Sequence, residues 1–103
     1  MSESDEFYFR IQDEAVKATL TQIQSIAQVF RNPLYDLKKT VESDIDFILG
    51  GVFGQIIGNA GCLLMLRSVL RPSPEQEVKL NYRLFSKAPE FKAKIQEALR
   101  TQS

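Results

Sequence analysis

Apolar side chains recur every three or four residues along most of this chain. Val16, Leu20, Ile23, Ala27 and Phe30 form one stripe, with Gln12, Lys17, Thr21, Gln24 and Gln28 largely off it. That is the pattern of an amphipathic helix buried along one side. Ser2 and Ser4, followed by Asp5 and Glu6, predict its start, because side-chain oxygens and negative charge suit the unpaired amides of a helix N-terminus. Asn32 and Pro33 predict a restart: Asn caps, and proline at the first helical position lacks only an amide that would be unpaired there. The stripe resumes at Leu34, Leu37, Val41, Ile45 and Ile48 and meets no stop before Pro72. The central helix therefore reads as about 38 residues long, or as broken at Gly50 and Gly51.

Beyond Pro72 the punctuation is clear. Ser73 with Gln76 three residues later is a capping-box pattern and opens a third helix. Residues 78–85 are ambiguous, since Val78, Leu80, Tyr82 and Leu84 also alternate as a half-buried strand would, and Phe7, Phe9 and Ile11 do the same. A two-stranded pairing of these stretches is the lesser alternative, because an isolated pair is marginal in water. Pro89 opens a last helix to about Arg100, with Phe91, Ile95, Ala98 and Leu99 on one side. There is no internal repeat. The predicted class is all-α, with a long, glycine-rich, apolar central helix flanked by amphipathic ones.

Charge changes this picture more by its placement than by its sum. The chain has 13 basic and 13 acidic residues and no net charge, so bulk electrostatics select no nucleic-acid partner. Residues 1–46 carry an excess of acids and residues 67–103 an excess of bases, while residues 47–66 carry no charge. At 1.5 Å per residue, that uncharged block makes a helix of roughly 30 Å, about the thickness of a bilayer's hydrocarbon core. Residues 47–66 are thus a candidate membrane-spanning or deeply buried segment. If the block spans, Arg67, Arg71, Lys79 and Arg83 outweigh Lys38 and Lys39 and place the C-terminal side in the compartment of synthesis.

All five glycines fall inside this block. On a helix Gly50, Gly51, Gly54, Gly58 and Gly61 occupy an arc of roughly 100 degrees, bordered by Gln55, Asn59 and Cys62, with bulky residues opposite. In a soluble helix each glycine costs about 1 kcal/mol relative to alanine. In a membrane, small residues at four-residue spacing let helices approach closely, and Gln or Asn can hydrogen-bond across the contact. Gly50, Gly51, Gly54, Gly58, Gly61, Gln55 and Asn59 are accordingly the predicted interaction residues. The alternative is a soluble bundle or intertwined dimer in which the same helix is buried.

Catalytic chemistry finds little purchase. There is no histidine, which removes the usual acid-base group near neutral pH and most transition-metal sites. The lone cysteine, Cys62, supports no intramolecular disulfide and reads as a small buried hydrophobe. Glu42, Asp44 and Asp46 read as a solvated helix face, and the glycines do not form a phosphate loop. No enzyme activity, cofactor or metal is expected. Arg83, Lys87, Lys92, Lys94 and Arg100 are interleaved with Tyr82, Phe85 and Phe91 on the last two helices, but glutamates interrupt them and no nucleic-acid binding is expected; an anionic lipid surface or an acidic subunit would suit them equally. The acidic start resembles no cleavable targeting signal.

At 103 residues the chain is one helical domain, 1–103. The function expected from this reading is a non-catalytic accessory subunit of a larger membrane complex, its central helix packed by the glycine side against other helical subunits and lipid, with the terminal helices docked on either side. An energy-transducing membrane such as the mitochondrial inner membrane is the expected setting. The alternative is a cytoplasmic, soluble, homodimeric adaptor.

Overall fold

The computed structural model describes residues 3–31, 43–67 and 70–101. Among the described residues five helices follow one another: α1 (Asp5–Leu20), α2 (Ile23–Arg31), α3 (Asp44–Leu66), α4 (Pro74–Phe85) and α5 (Ala88–Thr101). The described residues contain no strand. The predicted restart at Asn32–Pro33 and the positions Leu34, Leu37 and Val41 lie outside the described residues.

Ser4 caps α1 by accepting from the Phe7 amide, and Asp5 and Glu6 occupy its first turn, as the sequence indicates. The single stripe from Val16 to Phe30 is two helices rather than one. Thr21 turns its hydroxyl onto the Ala18 carbonyl at 2.6 Å, and the Gln22 amide reaches Thr19. A hydroxyl that bonds its own backbone competes with the helix ladder, and the chain tightens there before α2 begins.

The central helix is also shorter than the apolar rhythm predicts. It starts at Asp44, where Ser43 has extended backbone (φ −133°, ψ 114°) and accepts from the Asp46 amide. A residue in that conformation cannot lie within a continuous helix, so periodicity alone overran a cap. The helix then passes through Gly50 and Gly51 without a break and ends at Leu66, before Pro72. Residues 78–85 are helical, not a strand. Ser73 and Gln76 form the complete capping box of α4, each satisfying the other's backbone amide. The alternation there coincides with a four-residue spacing, Leu80 and Leu84 turning inward while Val78 and Tyr82 turn out.

The assembled molecule measures 47 × 24 × 23 Å. The core is built on one side of α3: Ile48, Leu49, Val52 and Ile56 pack with Ala15 and Val16 of α1, Ile26 of α2, and Phe91 and Ile95 of α5. Phe53 meets Phe85 and Phe91 edge to face, with centroids 5.0 and 5.7 Å apart, a favoured aromatic geometry. A smaller cluster of Tyr8, Ile11 and Leu64 closes the far end. The amphipathic helices therefore lie alongside α3, not beyond its two ends.

Candidate functional site

The structure divides α3 lengthwise. Its bulky side is packed by α1, α2 and α5, apart from Ile57, which is 51% exposed. Its small side, running through Phe47, Gly50, Gly54, Gly58, Gly61, Cys62 and Met65, is exposed, and at 100 degrees per residue these positions span roughly 120 degrees. A Cβ placed on Gly50, Gly54, Gly58 or Gly61 would meet nothing within 4 Å. Only 28% of the helix's most apolar stretch is buried. By length and composition α3 is the one described helix able to cross a membrane.

The predicted interaction residues separate in space. Gly50, Gly54, Gly58, Gly61 and Gln55 are exposed together, while Gly51 is half-buried. Gln55 borders a shallow hollow of about 430 Å³ formed with Gln22 and with Ser25 and Val29 of α2. Asn59 turns the other way. Its amide donates to the hydroxyl of fully buried Thr19 at 3.1 Å, so it ties α3 to α1. Cys62, expected inside, is exposed, because its helical angle places it beside the glycines and not opposite them.

Large apolar groups continue this surface. Met65 is 80% exposed and Leu66 82%, and across a cleft α4 presents Val78, Tyr82 and Phe85. Contiguous exposed apolar surface of this kind marks contact sites more than it marks monomer surface. Between residues 47 and 66 it contains no acid or base.

The basic C-terminal third has a different destination, one that its sequence distribution could have signalled. Its cations pair with the acids of the N-terminal part: Lys79 with Asp5 at 2.8 Å, Arg83 and Lys87 with Asp13, Arg67 with Glu14 at 2.9 Å, and Lys92 with Asp46 at 3.0 Å. The acid-rich and base-rich ends thus neutralise one another within the chain. The hydrogen bond from Lys79, then that from Gln76, holds the Asp5 carboxyl below its usual range, and Lys92 does the same for Asp46.

Two residues that periodicity did not single out fasten α4 to α1. Gln12, buried, donates from Nε2 to the Leu80 carbonyl at 2.8 Å and accepts from Arg83 at 2.9 Å. Arg83 also lies 4.3 Å from the centre of the Phe9 ring, a cation-π distance. Tyr8 completes this seam by donating to the Leu70 carbonyl at 2.7 Å. Phe91, read with the basic helices, is fully buried in the core. Among the described residues no three His, Cys, Asp or Glu side chains converge to hold a metal.

No protein-family model matches this chain, and no curated protein or solved structure matches it either.

Proposed function

We propose that this protein is a non-catalytic interaction module that pairs with a second copy of itself through the glycine side of α3. The observation that carries this reading is the open surface over four glycines in a charge-free helix whose opposite side is already packed. Bare backbone is stabilised best by another helix approaching closely, and a two-fold contact lets the same patch serve both partners. Antiparallel pairing sets the dipoles of the two α3 helices against each other, which favours that direction. Phe47 and Met65, five turns apart on one line of the helix, then face each other at both ends of the contact, a favourable sulfur-aromatic pairing.

A second reading, an accessory subunit whose α3 enters a membrane beside other helices, is favoured by the length and composition of that helix. It requires α1 and α5 to swing away. As folded, they carry Asp13, Glu14, Lys17, Lys94 and Glu97 outward alongside α3, and each charge held at hydrocarbon depth costs about 2.5–3.5 kcal/mol or more.

Sedimentation of the detergent-free protein over a range of concentrations tests the proposal. A monomer–dimer equilibrium is expected, and Gly54→Leu or Gly58→Leu should abolish it while leaving a folded monomer. Disulfide trapping fixes the direction. Gly50→Cys should oxidise to a covalent dimer with Cys62 of the second copy, whereas dimers of the unaltered chain through Cys62 alone would mean parallel pairing. A concentration-independent monomer in solution, with the native protein retained in carbonate-washed membranes, would replace this reading with the second.

A further inference from the structure

Between α1, α3 and α4 lies a cleft of about 350 Å³, inside the range of small-ligand sites. Its walls are apolar, with Ile56 and Leu64 from α3 facing Leu80 and Leu84 from α4. Its floor offers no unsatisfied polar group, because the Tyr8 hydroxyl is spent on the Leu70 carbonyl and both ends of the Gln12 amide are engaged. Of the polar side chains that line it, Arg71, Glu77 and Asn81 make no hydrogen bond or ion pair among the described residues, and all three are exposed at the rim.

An apolar trough with polar groups only at its edge fits an amphiphile. We propose that the cleft binds a single-chain fatty carboxylate of medium length, its alkyl chain along Ile56 and Leu64 and its head on Arg71 and Asn81. Ile56 and Leu64 are eight residues apart on one helix, so the apolar wall is roughly 12 Å long. It holds one short chain and would leave the second chain of a membrane lipid uncovered, which selects the free acid as the source. The Arg71 guanidinium matches the two oxygens of a carboxylate. Glu77 on the same rim disfavours a more highly charged phosphate head.

The cleft shares Gly61 with the paired surface, but its binding needs no second copy and its variants can be chosen off that surface. Calorimetric titration with decanoate, kept below its micelle-forming concentration, should show saturable one-to-one binding. Asn81→Trp, at an exposed position on α4, should plug the cleft and weaken binding by at least about tenfold. Arg71→Gln should reduce decanoate to the affinity of decanol. Gly54→Leu, off the cleft, should change neither. Absence of saturable decanoate binding, or binding unaltered by Asn81→Trp, would overturn the site. Equal affinity for decanol and decanoate in the unaltered protein would overturn the role of Arg71. Binding to vesicles of anionic two-chain lipid without binding of decanoate would overturn the assignment to the free acid.

Discussion

Along α3 the side formed by Ile48, Val52 and Ile56 is covered by α1, α2 and α5, while the side formed by Gly50, Gly54, Gly58 and Gly61 is open. Both belong to one stretch without charge, so polarity does not separate them. Volume does. Branched side chains bring enough apolar area to fix neighbouring helices at about 25 cal/mol per Å² buried, and they recruit the amphipathic elements of their own chain. Glycines bring almost none, so nothing within the chain is drawn to them, and each still costs the helix about 1 kcal/mol. A surface that weakens the monomer and packs nothing in it gains a purpose when a second backbone lies on it.

The largest effect that would break this contrast lies on the covered side. Ile56→Ala removes a side chain that is 1% exposed in the main cluster. It should lower the free energy of unfolding by about 2–5 kcal/mol, read from denaturant titration. A loss below about 1 kcal/mol would mean that α1, α2 and α5 do not hold this side closed. Next comes the polar tie between α3 and α1. Asn59→Leu leaves the buried Thr19 hydroxyl without its partner and should cost about 1–3 kcal/mol. Adding Thr19→Val should recover part of that loss, since removing both partners is gentler than removing one.

On the open side the sign reverses. Gly54→Ala, whose methyl would touch nothing, should stabilise the dilute monomer by about 1 kcal/mol through helix propensity alone. The same change should weaken dimerisation at high concentration, where it separates two backbones. Opposite signs in denaturation and sedimentation would sharpen the contrast between the two sides. Destabilisation of the monomer would show instead that the glycines already pack against their own chain.

These two sides were legible to different degrees in the sequence. Helical spacing fixed the class, the Ser4 cap, the Ser73–Gln76 box and the grouping of the glycines, because each depends on residues close in sequence. It could not say which half of α3 is covered, since that is decided by α1, α2 and α5 folding back. Thr21 closes α1 and Ser43 opens α3 inside stretches that apolar rhythm carried through, because a side chain bonding its own backbone outweighs propensity over a few residues. Asn59 looked like part of the small face, yet its angle lets it reach Thr19 across the helix pair. The acid-rich start and base-rich end held the clearest unused signal: opposite charges at the two ends of a neutral chain describe an intramolecular match as well as they describe an external partner.

The smallest predicted effect concerns the ion pairs that trim the covered side. Asp46 at the head of α3 is held below its ordinary pKa of 3.8, first by the hydrogen bond from Lys92 and then by its charge. Asp5 is lowered in the same sense by Lys79. A carboxyl whose folded pKa is depressed contributes stability that is present above 3.8 and disappears as pH falls through the lower folded value. Lys79, raised above 10.5 by Asp5, contributes below that value and loses its contribution as pH rises through the higher folded one. Thermal melts from about pH 5 to pH 2 should therefore show a shallow decline, flattened in part by Asp46→Asn and further by added salt, because these groups are exposed and screened. The open side has no such group between residues 47 and 66. A steep decline that survives both Asp46→Asn and high salt would place a buried charge on the covered side, and the division of α3 into a sealed apolar half and an open small half would then need redrawing.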